Sequence, residues 1–169
     1  LNQFIEEARD RFVFILPETP TIDDILNRAR IEVQRNGING LVIDPWNEIE
    51  HSRPKNLTET EYISESLRKM RTFARQNRIH LWIVAHPTKL SKSLKNDNKN
   101  QYEIPTPYDI AGSANWRNKA DNCVTVYRNA IDGEPVDVHI QKIRFKNTGK
   151  VGTVRFNYSL ATGMYWESR

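Results

Sequence analysis

Residues 41–46 read Leu-Val-Ile-Asp-Pro-Trp, a short apolar run halted by an acid and a proline. That is the pattern of a buried strand ending at Asp44. On its amino side, Thr21 caps a helix with Asp24 three residues on. Ile22, Ile25, Leu26, Ala29 and Val33 share one face of that helix, and Asn36-Gly37 closes it. On the carboxyl side, Thr58 and Glu61 make a capping box for a long helix with the stripe Ile63, Leu67, Met70 and Ala74, and His80 to Ala85 forms another buried strand. An earlier run at 11–16, Arg-Phe-Val-Phe-Ile-Leu, stopped by Pro17 and Pro20, reads as one more. Strands that are apolar throughout and alternate with amphipathic helices predict a parallel sheet covered on both faces.

The second half of the chain has a different grammar. Segment 87–107 is rich in Lys, Asn and Ser and has no apolar period, which predicts a long, mobile, exposed loop. A short helix around 110–119 and a strand from Cys123 to Tyr127 follow. Beyond Asp132-Gly133 the pattern becomes strict alternation, with Val136, Val138 and Ile140 on one face and a partner strand at 151–158 across the Thr148-Gly149 turn. This quarter is expected to be antiparallel.

The 169 residues are 38% hydrophobic and 27% charged, enough apolar material for the core of one domain. A net charge of +4 permits a nucleic-acid partner without demanding one. The single Cys123 excludes a disulfide framework, and no apolar run approaches the roughly 20 residues that cross a bilayer. The expectation is a soluble cytoplasmic protein. Because the chain opens at Leu1 without a Met or a signal-type stretch, it is also expected to be a piece of something longer.

In an open parallel sheet, ligands bind at the carboxyl ends of the strands, where this chain carries Asp44 and His86. A carboxylate there can hold the water shell of Mg²⁺ near phosphates, although an Asp-Pro pair also simply makes a turn. His86 can touch a terminal phosphate or its water, or be an ordinary hydrogen-bonded histidine. Lys142 and Arg144, two apart on an alternating strand, point to the same face as Ile140. Cations continuing an apolar face call for an anion such as a triphosphate, unless they merely guard a sheet edge. Lys89, Lys92, Lys95 and Lys99 recur every three or four residues in the long loop and fit the backbone of a single strand as well as a solvated linker. Arg128 and Tyr158 pair a cation with a ring and could clamp a base, though such a Tyr also serves in cores. A phosphate-cradling Gly-x-x-x-x-Gly-Lys-Ser/Thr loop is missing: at Gly149-Lys150, Arg144 stands where the first Gly belongs and Val151 where the hydroxyl belongs.

Taken in order, Leu-Val-Ile-Asp-Pro-Trp (41–46), Leu-Trp-Ile-Val-Ala-His (81–86), the segment 109–121 that includes Gly112-Ser113, Val-Tyr-Arg-Asn (126–129), Gln-Lys-Ile-Arg-Phe (141–145) and Asn-Thr-Gly-Lys-Val-Gly (147–152) resemble the later motifs of hexameric replicative helicases. The likeness is to the DnaB-like group, nearest to the helicase half of phage primase-helicases and the Twinkle type. It implies a RecA-like α/β fold, a mostly parallel sheet flanked by helices with antiparallel C-terminal strands. It also implies an ATP-dependent DNA helicase that moves on single-stranded DNA as a homo-hexamer in a bacterial or phage-infected cell.

By that resemblance Asp44 is the Walker B carboxylate near Mg²⁺ and His86 the sensor on the next strand. Lys142 and Arg144 reach the γ-phosphate of ATP held by a neighbour, Arg128 and Tyr158 hold the base, and Lys89, Lys92, Lys95 and Lys99 grip DNA. With the phosphate cradle expected upstream of Leu1, the chain alone is expected neither to hydrolyse ATP nor to form a stable hexamer. A non-catalytic RecA-like binding module, or another RecA-like ATPase such as a recombinase or plasmid-type helicase, remains the alternative.

Overall fold

The computed structural model describes residues 8, 9, 11–88, 102–111, 114–128 and 135–168. They fall into two compact units, Leu1–His86 and Pro87–Arg169.

The first unit holds helix α1 (Ile22–Asn36), strand β1 (Gly40–Ile43), a 3₁₀ turn (Trp46–Glu48), helix α2 (Glu59–Asn77) and strand β2 (His80–Ile83). The local signals act as chemistry requires. The Thr21 hydroxyl accepts from the Asp24 N–H at α1, and at α2 the Thr58 hydroxyl and the Glu61 carboxylate satisfy each other's backbone donors. Gly37 ends α1 at φ 63°, a left-handed conformation that a residue without Cβ adopts at no steric cost. β1 and β2 pair in parallel, Gly40 to His80 through Ile43 to Ile83. The core gathers Ile22, Ile25, Leu26 and Ala29 of α1, Leu41 and Ile43 of β1, and Ile63, Leu67, Met70 and Phe73 of α2.

Met70, 1% exposed, lies deepest. Met70→Ala is expected to cost about 2–5 kcal/mol through lost burial and the cavity left behind. The exposed Thr72→Ala on the same helix should stay within about 0.5 kcal/mol; denaturant unfolding of the two variants measures the contrast.

Two expectations are corrected here. Segment 11–16 is not a strand: residues 12–16 are irregular, and Phe14 is 84% exposed. A strand exists only by exchanging backbone hydrogen bonds with a neighbour, and none of the described strands runs beside this segment. The parallel pair is also covered on one face only among the described residues. Leu41 and Ile43 are buried, whereas Val42 is 61% and Trp82 52% exposed on the other side. An apolar run shows that both faces prefer burial, not that both are covered.

The second unit holds helix α3 (Asn115–Lys119) and strands β3 (Asn122–Arg128), β4 (Val136–Ile143), β5 (Gly152–Tyr158) and β6 (Tyr165–Glu167). The strands form one sheet in the order β3-β4-β5-β6. Every pairing is antiparallel, with an irregularity between Cys123 and Val124. The alternation that announced this half is present. Beyond Ile140, which faces Gly152, β4 outruns β5 and pairs with β3 alone, Lys142 opposite Cys123 and Ile143 opposite Asn122. The expected helix at 110–119 is shorter, Asn115–Lys119, with the buried Trp116 donating its indole N–H to the Ala111 carbonyl at 3.1 Å.

Candidate functional site

Parallel pairing puts the carboxyl ends of β1 and β2 at one edge, and the chain beyond them stays laced. Val84 N–H donates to Ile43 O at 2.9 Å, Trp46 N–H to Val84 O at 2.7 Å, and His86 N–H to the Asn47 side-chain oxygen at 2.8 Å. Asp44 and His86 therefore leave the same edge, both exposed. Trp46 is buried beside them, its ring 4.6 Å from that of His51, which in turn meets the Tyr62 ring edge-on. Burial pushes the His51 pKa down, so this imidazole tends to stay neutral. Sequence reasoning missed Asn47 and the Trp46 anchor; the signal available was their place immediately after the strand-ending Asp-Pro.

This edge can offer one carboxylate to a hydrated cation and one imidazole to a phosphate. Among the described residues no three His, Cys, Asp or Glu side chains converge on a point. The donor set would suit a Mg²⁺ that arrives on nucleotide phosphates and keeps its waters, with Asp44 the residue that would hold one of them. It does not suit an ion caged by protein.

In the second unit, Lys142 and Arg144 do share a side, but it is not that of Ile140 as the alternation predicted: the irregularity between Cys123 and Val124 sets Lys142 opposite Cys123 and Ile140 opposite Val124, on alternate faces of the sheet. Both reach the carboxyl end of α3, where helix carbonyls lack intrahelical partners. The Lys142 ammonium donates to the carbonyls of Arg117, Asn118 (3.4 Å) and Ala120 (2.8 Å). Arg144 donates from Nη2 to Asn118 O at 2.8 Å and from Nε to the Asp121 carboxylate at 2.9 Å, while its backbone N–H donates to Asp121 O. Desolvation, and then the Arg144 charge, lower the Lys142 pKa. The anionic complement expected for these cations is supplied here by the negative end of a short helix and one carboxylate.

Arg128 and Tyr158 also come together, though from β3 and β5, which flank β4 and are not direct neighbours. The guanidinium lies 4.8 Å from the Tyr158 ring centre, direct cation–π contact with no room for an intervening base. Tyr158 in turn packs on Tyr165, ring centres 4.6 Å apart. Tyr165 is a further missed residue, brought opposite Tyr158 by the β5–β6 hairpin, whose short strand Tyr165–Glu167 the sequence reading did not include.

Lys89, Lys92, Lys95 and Lys99, and Gly112-Ser113, lie outside the described residues. The flanks of the loop are held. Thr88 donates from N–H and hydroxyl to Asp109 O at 2.9 and 2.8 Å, and Pro87 bridges Ile110. On the far flank Thr125 and Gln141 donate to Pro105 O at 3.1 and 2.8 Å, and the Tyr127 hydroxyl donates to Tyr102 O at 2.8 Å. These three side chains tie residues 102–105 to the antiparallel sheet.

The family model described as DnaB-like helicase C terminal domain matches residues 1–166. The chain belongs to this family. The Twinkle homolog protein, chloroplastic/mitochondrial, of Arabidopsis thaliana is 40% identical over 153 residues, covering 88% of this chain and 21% of that protein. The chain therefore spans about a fifth of the length of this curated relative. Among solved structures, the ATPase domain of G40P aligns with a TM-score of 0.66 and 22% identity, covering 88% of this chain and 52% of that one. The structure titled as a DnaB-like replicative helicase and its interactions with primase aligns with a TM-score of 0.73 and 21% identity, covering 98% and 40%. These likenesses make the fold RecA-like, as the resemblance implied. Asp44 and His86 beyond the parallel strands and the basic pair at the end of β4 thus sit in a DnaB-like helicase C-terminal domain.

Proposed function

We propose that this chain is the carboxyl-terminal part of an ATP-driven replicative helicase that translocates on single-stranded DNA as a homo-hexameric ring and hydrolyses ATP between subunits. The observation that carries the reading is the pairing of β1 with β2, which brings Asp44 and His86 to one exposed edge of a DnaB-like domain. There Asp44 holds a water of the Mg²⁺ that accompanies ATP, and His86 senses the terminal phosphate. Lys142 and Arg144 serve the γ-phosphate bound by the adjoining protomer. Arg128 parts from Tyr158 to admit the base, a modest step because one exposed cation–π contact is worth about 0.5–1 kcal/mol.

The loop lysines Lys89, Lys92, Lys95 and Lys99 contact the phosphates of the single strand. Replacing all four with Gln in the full-length protein should weaken single-strand binding and flatten the slope of log K against log salt by about 3, at about 0.7 per lost phosphate contact. An unchanged slope would take the strand away from these residues.

The decisive assay is ATP turnover by the full-length protein with and without single-stranded DNA. Stimulation by DNA is expected; binding without any turnover would leave the RecA-like binding module. The proposed setting is the cytoplasm of a bacterial or phage-infected cell. No described helix is long and apolar enough to cross a membrane, and the plant relative's name places that protein in chloroplasts and mitochondria. Detection of the native protein in an organelle fraction would move the setting there.

A further inference from the structure

Strand β3 inverts the usual burial pattern. Val124 is 43% and Val126 69% exposed, whereas Thr125 and Tyr127 are half-buried. Residues 102–105 lie against that polar side, and residues 103–105 belong to no strand. Half-buried polar groups need partners, and here the partners are carbonyls of this segment. The Tyr127 hydroxyl donates to Tyr102 O, while Thr125 and Gln141 both donate to Pro105 O and fill the two lone pairs of one oxygen. Gln141 is the extra residue of the β4 irregularity. Ile140 pairs with Val124 and Lys142 with Cys123, which leaves Gln141 without an opposite number on β3. An extra residue of this kind re-aims a side chain. The Gln141 amide has one usable orientation, because Pro105 O only accepts, and its own Oε1 is buried with no partner among the described residues. Burying an acceptor in that way is unfavourable, and a glutamine free to face water would avoid it.

The hold extends to both ends of the lysine loop. Pro105 and Pro107 have φ fixed by their rings, so orienting the Pro105 carbonyl orients the Pro-Thr-Pro stretch. Thr106 donates from N–H and hydroxyl to the Asp109 carboxylate at 2.7 and 2.8 Å, and the Asp109 carbonyl takes both donors of Thr88. Thr88 and Tyr102, the described residues on either side of the loop, are thus fastened through one patch of sheet. A loop whose ends are already fixed has less freedom to lose when it binds.

We propose that Thr125, Tyr127 and Gln141 are positioning residues that hold both roots of the 89–101 loop on the antiparallel sheet and so set its grip on single-stranded DNA. They act without touching DNA or nucleotide. The proposal rests on the helicase reading, in which the loop lysines meet the strand.

The test compares the full-length protein with the triple variant Thr125→Val/Tyr127→Phe/Gln141→Met, which keeps side-chain size and removes each donor. The single-strand concentration for half-maximal stimulation of ATP turnover is expected to rise about tenfold. Turnover at saturating DNA and turnover without DNA should both stay within about twofold. The slope of log K against log salt should be unchanged, because the lysines still meet the same phosphates. Amide exchange at 103, 104 and 106 should quicken. Thr125→Ser, which keeps the hydroxyl, should behave as the unaltered protein, and Thr125→Val alone should not.

Quickened exchange with an unchanged half-maximal DNA concentration would mean that the roots are held for stability alone, and would overturn the proposal. So would unchanged exchange, or a fall in turnover at saturating DNA as large as the loss of affinity. Failure of the helicase reading looks different. The variant with all four loop lysines replaced would then keep its salt slope, and the proposal would fall with that reading whatever the exchange showed.

Discussion

Arg144→Ala in the full-length protein is expected to lower DNA-stimulated ATP turnover by about 10³–10⁵, the range associated with arginines that reach a transferring phosphoryl group. The size of the effect follows from where the side chain acts. A guanidinium that stabilises charge developing in the transition state raises kcat without tightening the ground state. ATP affinity should therefore change far less than turnover. Arg144 also links to Asp121 and the α3 terminus, so a loss of stability must be measured alongside. Its side chain is partly exposed, and surface ion pairs contribute about 0–1 kcal/mol, which leaves the domain folded. Steady-state turnover at saturating single-stranded DNA, with thermal unfolding as the control, checks both. Retention of near-normal turnover would remove the finger role.

Asp44→Asn is expected to lower kcat by about 10²–10³ while single-strand binding persists. The substitution keeps shape and hydrogen bonding and removes only the charge that holds a Mg²⁺ water. Asp44 is exposed and outside the core, so stability should move by less than about 0.5 kcal/mol. Raising Mg²⁺ should recover little of the loss, because the metal is expected to come with the nucleotide. Recovery to near-normal turnover at millimolar Mg²⁺ would instead mean that Asp44 acts by binding the ion directly.

The local grammar of the chain was legible, and the reasons are local. Thr21, Thr58 and Glu61 cap helices by reaching backbone groups three residues away, and Gly37 ends α1 through its own φ. The change from continuous apolar strands to alternation between the two halves also followed from side-chain period alone. Reading segment 11–16 as a strand failed because a strand is a relation between two segments, and composition describes only one of them. Two-sided burial of β1 and β2 failed on the same ground: Val42 and Trp82 are apolar whether or not anything lies over them.

The site divides along the same line. That Asp44 and His86 leave one edge was legible from position alone, because the carboxyl ends of paired parallel strands lie together. That Lys142 and Arg144 share a side followed from their spacing. What each does with its donors did not, since the acceptors Arg117, Asn118, Ala120 and Asp121 lie 22 to 26 residues earlier in the chain. Asn47 under His86, and Pro105 beneath Thr125 and Gln141, are likewise partners across sequence.

By itself the sequence determined element types, helix ends, the order of the helicase motifs and the residues that carry charge, because each depends on side chains within one turn or one pleat. Only the tertiary structure decided which of those charges are already spent on carbonyls and which remain open. A hydrogen bond is a matter of a few ångströms in space, and chain distance does not set it.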